Sequence, residues 1–232
     1  MPMNKKVQLF LLPFAGGNSL SFMKLMRMLD SSIEAIAIEY AGRFTREKEP
    51  FIDTYDIFIN DVVEYIQKYK RNDIPFAVLG YSLGAALAFD ICCKGVYGEK
   101  PVYAFFCAEG SLLAHDSARR YGELSDEEFK DKMLMLGGLD QKILGNEQEK
   151  NKYLDLIKRD FNILGQFLYT TGKVSCDASV IYSMDDVTCI QMEDWSELIA
   201  GKTDYYRIGS GHFFVKRYYR EMAEIINKHL CV

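Results

Sequence analysis

Residues 76–92 read FAVLGYSLGAALAFDIC, and this stretch decides the fold. Phe76–Leu79 is apolar at every position, as a strand covered on both faces must be. Ala85–Cys92 is an apolar run that reads as a buried helix. Between them, Gly80-Tyr81-Ser82-Leu83-Gly84 has the form G-x-S-x-G. Its glycines lack a Cβ and so permit a very tight turn. A strand–turn–helix of this kind lifts the Ser82 hydroxyl out of the sheet, at the positive end of a helix. The bare pattern arises by chance; the flanking strand and helix give it weight here. Ser82 is the candidate nucleophile.

Outward from this turn, short apolar runs alternate with helical patterns. Val7–Leu12, Ala35–Glu39, Val102–Cys107, Ser179–Tyr182 and Tyr205–Ile208 have strand length. Tyr55, Phe58, Ile59, Val62, Val63 and Ile66 recur at helical spacing behind a cap at Asp53 or Thr54. Val215, Tyr218, Met222, Ile225, Ile226 and His229 form a second stripe. The alternation predicts one α/β domain over 1–232, with a mostly parallel sheet flanked by helices. About 116–172 breaks the pattern. Ser125 and Glu128 fit a capping box, Phe129, Met133 and Leu136 follow at helical spacing, and a second helix is expected from Lys150 to Tyr169. This block is either a helical lid inserted in the domain or an ordinary crossover.

Composition narrows the classes. The net charge of −5 argues against a nucleic-acid binder. The six cysteines form no CxxC pair and read as free thiols in a reducing compartment. Lys5-Lys6 before Val7–Phe14 mimics a signal peptide, but Pro13 and a glycine loop follow, so the run is taken as the first strand of a cytoplasmic protein. The run from Ile74 to Phe89 is shorter than the ~18 residues of a membrane span. No membrane association, metal or organic cofactor is expected.

A serine hydroxyl needs a base to take its proton. Of three histidines, His115 reads as a loop residue and His229 as packing on the last helix. His212, in Ser210-Gly211-His212-Phe213, falls between the last strand and the last helix, where such sheets place reactive groups. The acid must lie between Ser82 and His212 in the chain. Asp185 and Asp186 both follow a strand, and one would orient the imidazole while the other shapes the turn. Two N–H groups must hold a developing oxyanion. Leu83 supplies one, and the loop Pro13-Phe14-Ala15-Gly16-Gly17 the other.

Taken together, these motifs resemble the type II thioesterases of non-ribosomal peptide and polyketide synthesis, members of the α/β-hydrolase superfamily. The resemblance covers nearly the whole chain. It is carried by Leu11-Leu-Pro-Phe-Ala-Gly-Gly17, Tyr40-Ala-Gly-Arg43, the elbow at Gly80–Gly84, Leu124–Phe129, Leu136-Gly-Gly138, Arg159-Asp-Phe161, Ser183-Met-Asp-Asp186 and Gly211–Phe214. Ala41 stands where the family has proline, and Ser183 and Ser210 where it has glycine. The resemblance implies a stand-alone, monomeric enzyme that clears acyl or aminoacyl groups from phosphopantetheine arms of carrier proteins. It selects Asp186 as the acid and Ala15 as the second oxyanion donor. It makes the 116–172 block a lid in which Met133, Met135 and Leu136 meet the acyl group. Arg43, Arg46, Arg119 and Arg120 are the cations expected to meet an acidic carrier. The alternatives are a medium-chain acyl-carrier thioesterase, a carboxylesterase of small esters, or a non-catalytic binding module.

Overall fold

A computed structural model describes residues 5–114, 121–138, 146–169 and 172–231. Among these, β1 (Val7–Leu12), β2 (Ile33–Ala37), β3 (Phe76–Tyr81), β4 (Tyr103–Cys107), β5 (Asp177–Tyr182) and β6 (Thr203–Arg207) form a single sheet. Its order is β2-β1-β3-β4-β5-β6, and every neighbouring pair is parallel. The helices are α1 (Met23–Met26), α2 (Tyr55–Tyr69), α3 (Leu83–Lys94), α4 (Asp126–Met135), α5 (Glu147–Leu164), α6 (Trp195–Leu198) and α7 (Tyr219–Leu230).

Strand residues alternate between two apolar layers, as a pleated strand requires. Phe10, Leu12, Val78, Phe106 and Val180 face the layer that holds α2, α3 and α5. Leu9, Leu11, Leu79, Phe105 and Ile181 face Leu25 of α1 and Met222, Ile225 and Ile226 of α7. Covering both faces explains why the central strands read as unbroken apolar runs.

Some boundaries differ from the sequence expectation, for local reasons. β2 stops at Ala37 because Glu39 leaves the ladder; its carboxylate accepts from the Ser19 hydroxyl at 2.6 Å. β6 begins at Thr203, before its apolar run, because an edge strand tolerates Thr and Asp. Thr54 sits at the cap position of α2, but its side chain makes no capping bond; the Tyr55 amide donates to Gln166 instead. Ser125 and Glu128 form the expected capping box of α4. α5 starts three residues before Lys150, where Asn146 accepts from the amides of Gln148 and Glu149, and it ends at Leu164 rather than Tyr169. Its polar first turn carries no apolar period to read.

Candidate active site

The elbow after β3 holds Ser82 at φ 52°, ψ −117°. A non-glycine residue in that region stores about 1–3 kcal/mol of strain, which its surroundings must oppose. The Ser82 amide donates to the Cys107 carbonyl at 2.8 Å, and the Ala85 amide to the Ser82 carbonyl at 2.7 Å. A Cβ on Gly80 would lie 2.1 Å from the Gly84 carbonyl oxygen, and one on Gly84 would lie 2.1 Å from that of Leu12. Both glycines are therefore required by close backbone approach. Leu83 is the first residue of α3, so its amide has no intrahelical acceptor.

His212 lies on the loop after β6, between Gly211 (φ 73°) and the buried Phe214. Its Nδ1 is 2.8 Å from Asp186 Oδ2. Asp186 Oδ1 accepts from the Thr188 amide at 3.0 Å and the Thr188 hydroxyl at 2.7 Å. Burial pushes the Asp186 carboxyl up, but the bonds from His212 and Thr188 outweigh it and hold the group below the usual carboxylate range. Asp185 points elsewhere. It accepts from the Ser183 hydroxyl, from the Ser210 hydroxyl at 2.5 Å and from the Gly211 amide at 2.8 Å. These donors hold it well below its ordinary value. Ser183 and Ser210, the two departures from glycine, thus meet on one carboxylate and tie the Asp186 loop to the His212 loop. Tyr81, the residue before Ser82 in the elbow, donates to the His212 carbonyl at 2.6 Å and accepts from the Val215 amide at 3.4 Å.

The loop after β1 is fixed at several points. Pro13 accepts from the Tyr40 hydroxyl at 2.9 Å, and Phe14 from the Gly17 amide at 2.8 Å. The Gly16 amide donates to Asp160 Oδ2 of α5 at 2.7 Å. The Ala15 amide has no intramolecular acceptor among the described residues.

Phe14, Ala15, Ser82, Met133, Leu136, Gly138, Ile157, Phe161, His212 and Phe213 line one cleft. Met133 and Leu136 lie in the lining, but Met135 does not; it is 59% exposed, because it falls on the outer side of α4. The apolar period of α4 already excluded it, since 129, 133 and 136 share a face. Ile157 and Phe161 were missed as lining residues, although they belong to the apolar stripe of α5. Asp160 was missed as a site residue as well, although it lies in the Arg159-Asp-Phe161 stretch that carries the resemblance.

Arg43 and Arg46 are not free cations. Arg43 is 7% exposed and pairs with Asp160 at 2.7 Å. Arg46 pairs with Asp61 at 2.7 Å and Glu49 at 2.5 Å. Arg119, Arg120 and His115 lie outside the described residues. His229 meets the hydroxyls of Tyr103 and Tyr206, each at 2.9 Å, and stacks on the Tyr103 ring, which is a packing role.

A parallel sheet carrying a serine elbow, a histidine loop after the last strand and a carboxylate between them defines an α/β-hydrolase of the serine hydrolase class. The family model of the thioesterase domain matches residues 7–230, and the chain belongs to that family. It is 26% identical over 230 residues to the gramicidin S biosynthesis protein GrsT of Aneurinibacillus migulanus, covering 97% of this chain and 89% of that protein. It is 27% identical over 219 residues to the medium-chain S-acyl fatty acid synthase thioesterase of Rattus norvegicus, covering 90% and 82%. Its fold is similar to that of the type II thioesterase BorB from the borrelidin biosynthetic cluster, with TM-score 0.84, 25% identity and coverage of 97% and 93%. Among the described residues, no helix is long and apolar enough to cross a membrane.

Proposed function

We propose that this chain is a stand-alone thioesterase that hydrolyses acyl or aminoacyl groups from phosphopantetheine arms of carrier proteins, through Ser82, His212 and Asp186. The observation that carries the reading is the 2.8 Å bond of His212 Nδ1 to Asp186 in the cleft that also holds Ser82. With Nδ1 engaged by the carboxylate, Nε2 is the nitrogen left to take the Ser82 proton. Ser82 Oγ attacks the thioester carbonyl, and the Ala15 and Leu83 amides hold the oxyanion. The thiolate leaves with the proton from His212. Water, deprotonated by His212, then attacks the acyl-serine and releases the acid. None of these steps calls on a metal or organic cofactor.

The helices α4 and α5 act as the lid, with Met133 and Leu136 against the acyl group. The likeness to the rat medium-chain enzyme supports a second reading, release of medium-length acyl chains. A chain-length series of acyl-pantetheines separates the two readings. Arg43 is buried against Asp160 and is not available for a carrier, while Arg46 would have to exchange its bonds to Asp61 and Glu49 for those of a carrier. The test compares kcat/KM on an acyl-carrier protein, the matching acyl-pantetheine and a small ester, at low and high salt. A clear advantage for the carrier substrate is expected, from binding energy remote from the reacting centre. Equal efficiency on carrier and pantetheine, with no response to salt, defeats the carrier reading in favour of an esterase.

A further inference from the structure

The pair formed by Arg43 and Asp160 is out of proportion to any structural need. Arg43 Nη2 meets Asp160 Oδ1 at 2.7 Å and Nη1 meets Oδ2 at 2.8 Å, a two-pronged bond with side chains 6% and 1% exposed. Withdrawing two charges from water costs about as much as their attraction returns, so an apolar pair would stabilise the fold as well. Arg43 Nε is buried without a hydrogen-bond partner among the described residues, which adds to the cost. Stability therefore does not explain the pair.

Its position does. Asp160 Oδ2 also accepts from the Gly16 amide, and Arg43 Nη1 also donates to the Gly17 carbonyl at 3.2 Å. Because the peptide unit is planar and trans, the Ala15 N–H lies in the plane of the Phe14 carbonyl and points the opposite way. That carbonyl is held by the Gly17 amide. Whatever fixes Gly16 and Gly17 therefore aims the Ala15 N–H. α5 also packs directly on this loop, since a Cβ on Gly16 would lie 2.5 Å from Ile157.

We propose that Arg43 and Asp160 are positioning residues whose ion pair holds the Ala15 amide where the oxyanion forms, so that the oxyanion hole is complete only while α5 is seated. This rests on the hydrolase reading above. It makes the inserted helix a working part of the site rather than a cover alone.

The test uses R43Q/D160N, which removes both members of the pair together, and R43K, which keeps a cation beside Asp160 but has no fork to span Asp160 and Gly17 at once. Each is assayed with p-nitrophenyl acetate and S-acetyl-pantetheine. Binding of a trifluoromethyl ketone, whose serine adduct carries the oxyanion, and melting temperature are measured alongside. The double variant is expected to lose on the order of 10² in kcat with KM within about threefold, as when one oxyanion donor is lost. R43K should fall between it and the parent. Affinity for the ketone should drop in step with kcat/KM. Parental kcat in a folded double variant, with only the melting temperature lowered, overturns the proposal. So does parental kcat in R43K should the double variant fail to fold, or unchanged ketone affinity beside a reduced kcat. Parental activity on the ester but none on the thioester would fail the thioesterase reading, while the ester assay still decides the role of the pair.

Discussion

Ser82 is placed by backbone strain and His212 by bonds to both ends of its residue, and single substitutions separate these effects. Ser82→Ala should lower turnover by roughly 10⁴–10⁶ while leaving the circular dichroism spectrum intact, because the nucleophile and its partners act as a unit. Residual turnover near the parent would remove Ser82 from the reaction. Asp186→Asn should cost roughly 10²–10⁴ in kcat, by loss of imidazole orientation. Asp185→Asn should cost less than about tenfold, since Asp185 bonds the Ser210 hydroxyl and the Gly211 amide rather than the imidazole. The opposite ranking in steady-state assays would exchange their roles. Tyr81→Phe removes one buried hydroxyl donor from the His212 carbonyl, a loss of about 0.5–1.5 kcal/mol. If that falls on His212 alignment, kcat drops about 3–10-fold with KM unchanged; a change in KM alone would place Tyr81 in the binding of substrate.

The elements differ in how openly the sequence declared them. β1, β3, β4 and β5 were legible because both their faces are buried, so their residues are mostly apolar, with only Gln8 interrupting β1 and Asp177 and Ser179 interrupting β5. β6 was half hidden because it lies at the sheet edge and starts with Thr203 and Asp204. The elbow was legible because glycine at 80 and 84 answers a local steric demand that leaves no alternative. Arg43 and Asp160 each fall in a stretch that carries the resemblance, but their pairing was not legible, since they are 117 residues apart and no local pattern joins them. The same logic sorts the proposed lid. Met133 and Leu136 line the cleft and Met135 does not. Replacing Met133 or Leu136 with Trp should change acyl-chain preference by more than about tenfold, within the range that shape discrimination in apolar pockets affords. Met135→Trp should leave it as it was. A chain-length series of acyl-pantetheines measures both, and an equal effect at 135 would mean that α4 presents a different face to substrate.

At the scale of the whole molecule, Glu109 links stability to pH. Burial, and secondarily the charge of Asp186, raises its carboxyl from the usual 4.5 to about 8. Between those values the folded chain keeps a proton that the unfolded chain has lost, so stability must fall as pH rises from about 4.5 to about 8. The full effect is at most about 5 kcal/mol at 1.36 kcal/mol per unit. Glu109→Gln removes the titration, so its melting temperature should exceed that of the parent by more at pH 8 than at pH 5; an equal offset at both would deny Glu109 this part. One further property lies in the sheet order. His212 is delivered by β6, which among the described residues pairs with β5 alone and is the last strand along the chain. On the proposed roles of Ser82 and His212, synthesis makes the nucleophile first and the base last. On the same reading, a nascent chain acquires reactivity only when the final edge of the sheet closes and brings His212 to Ser82.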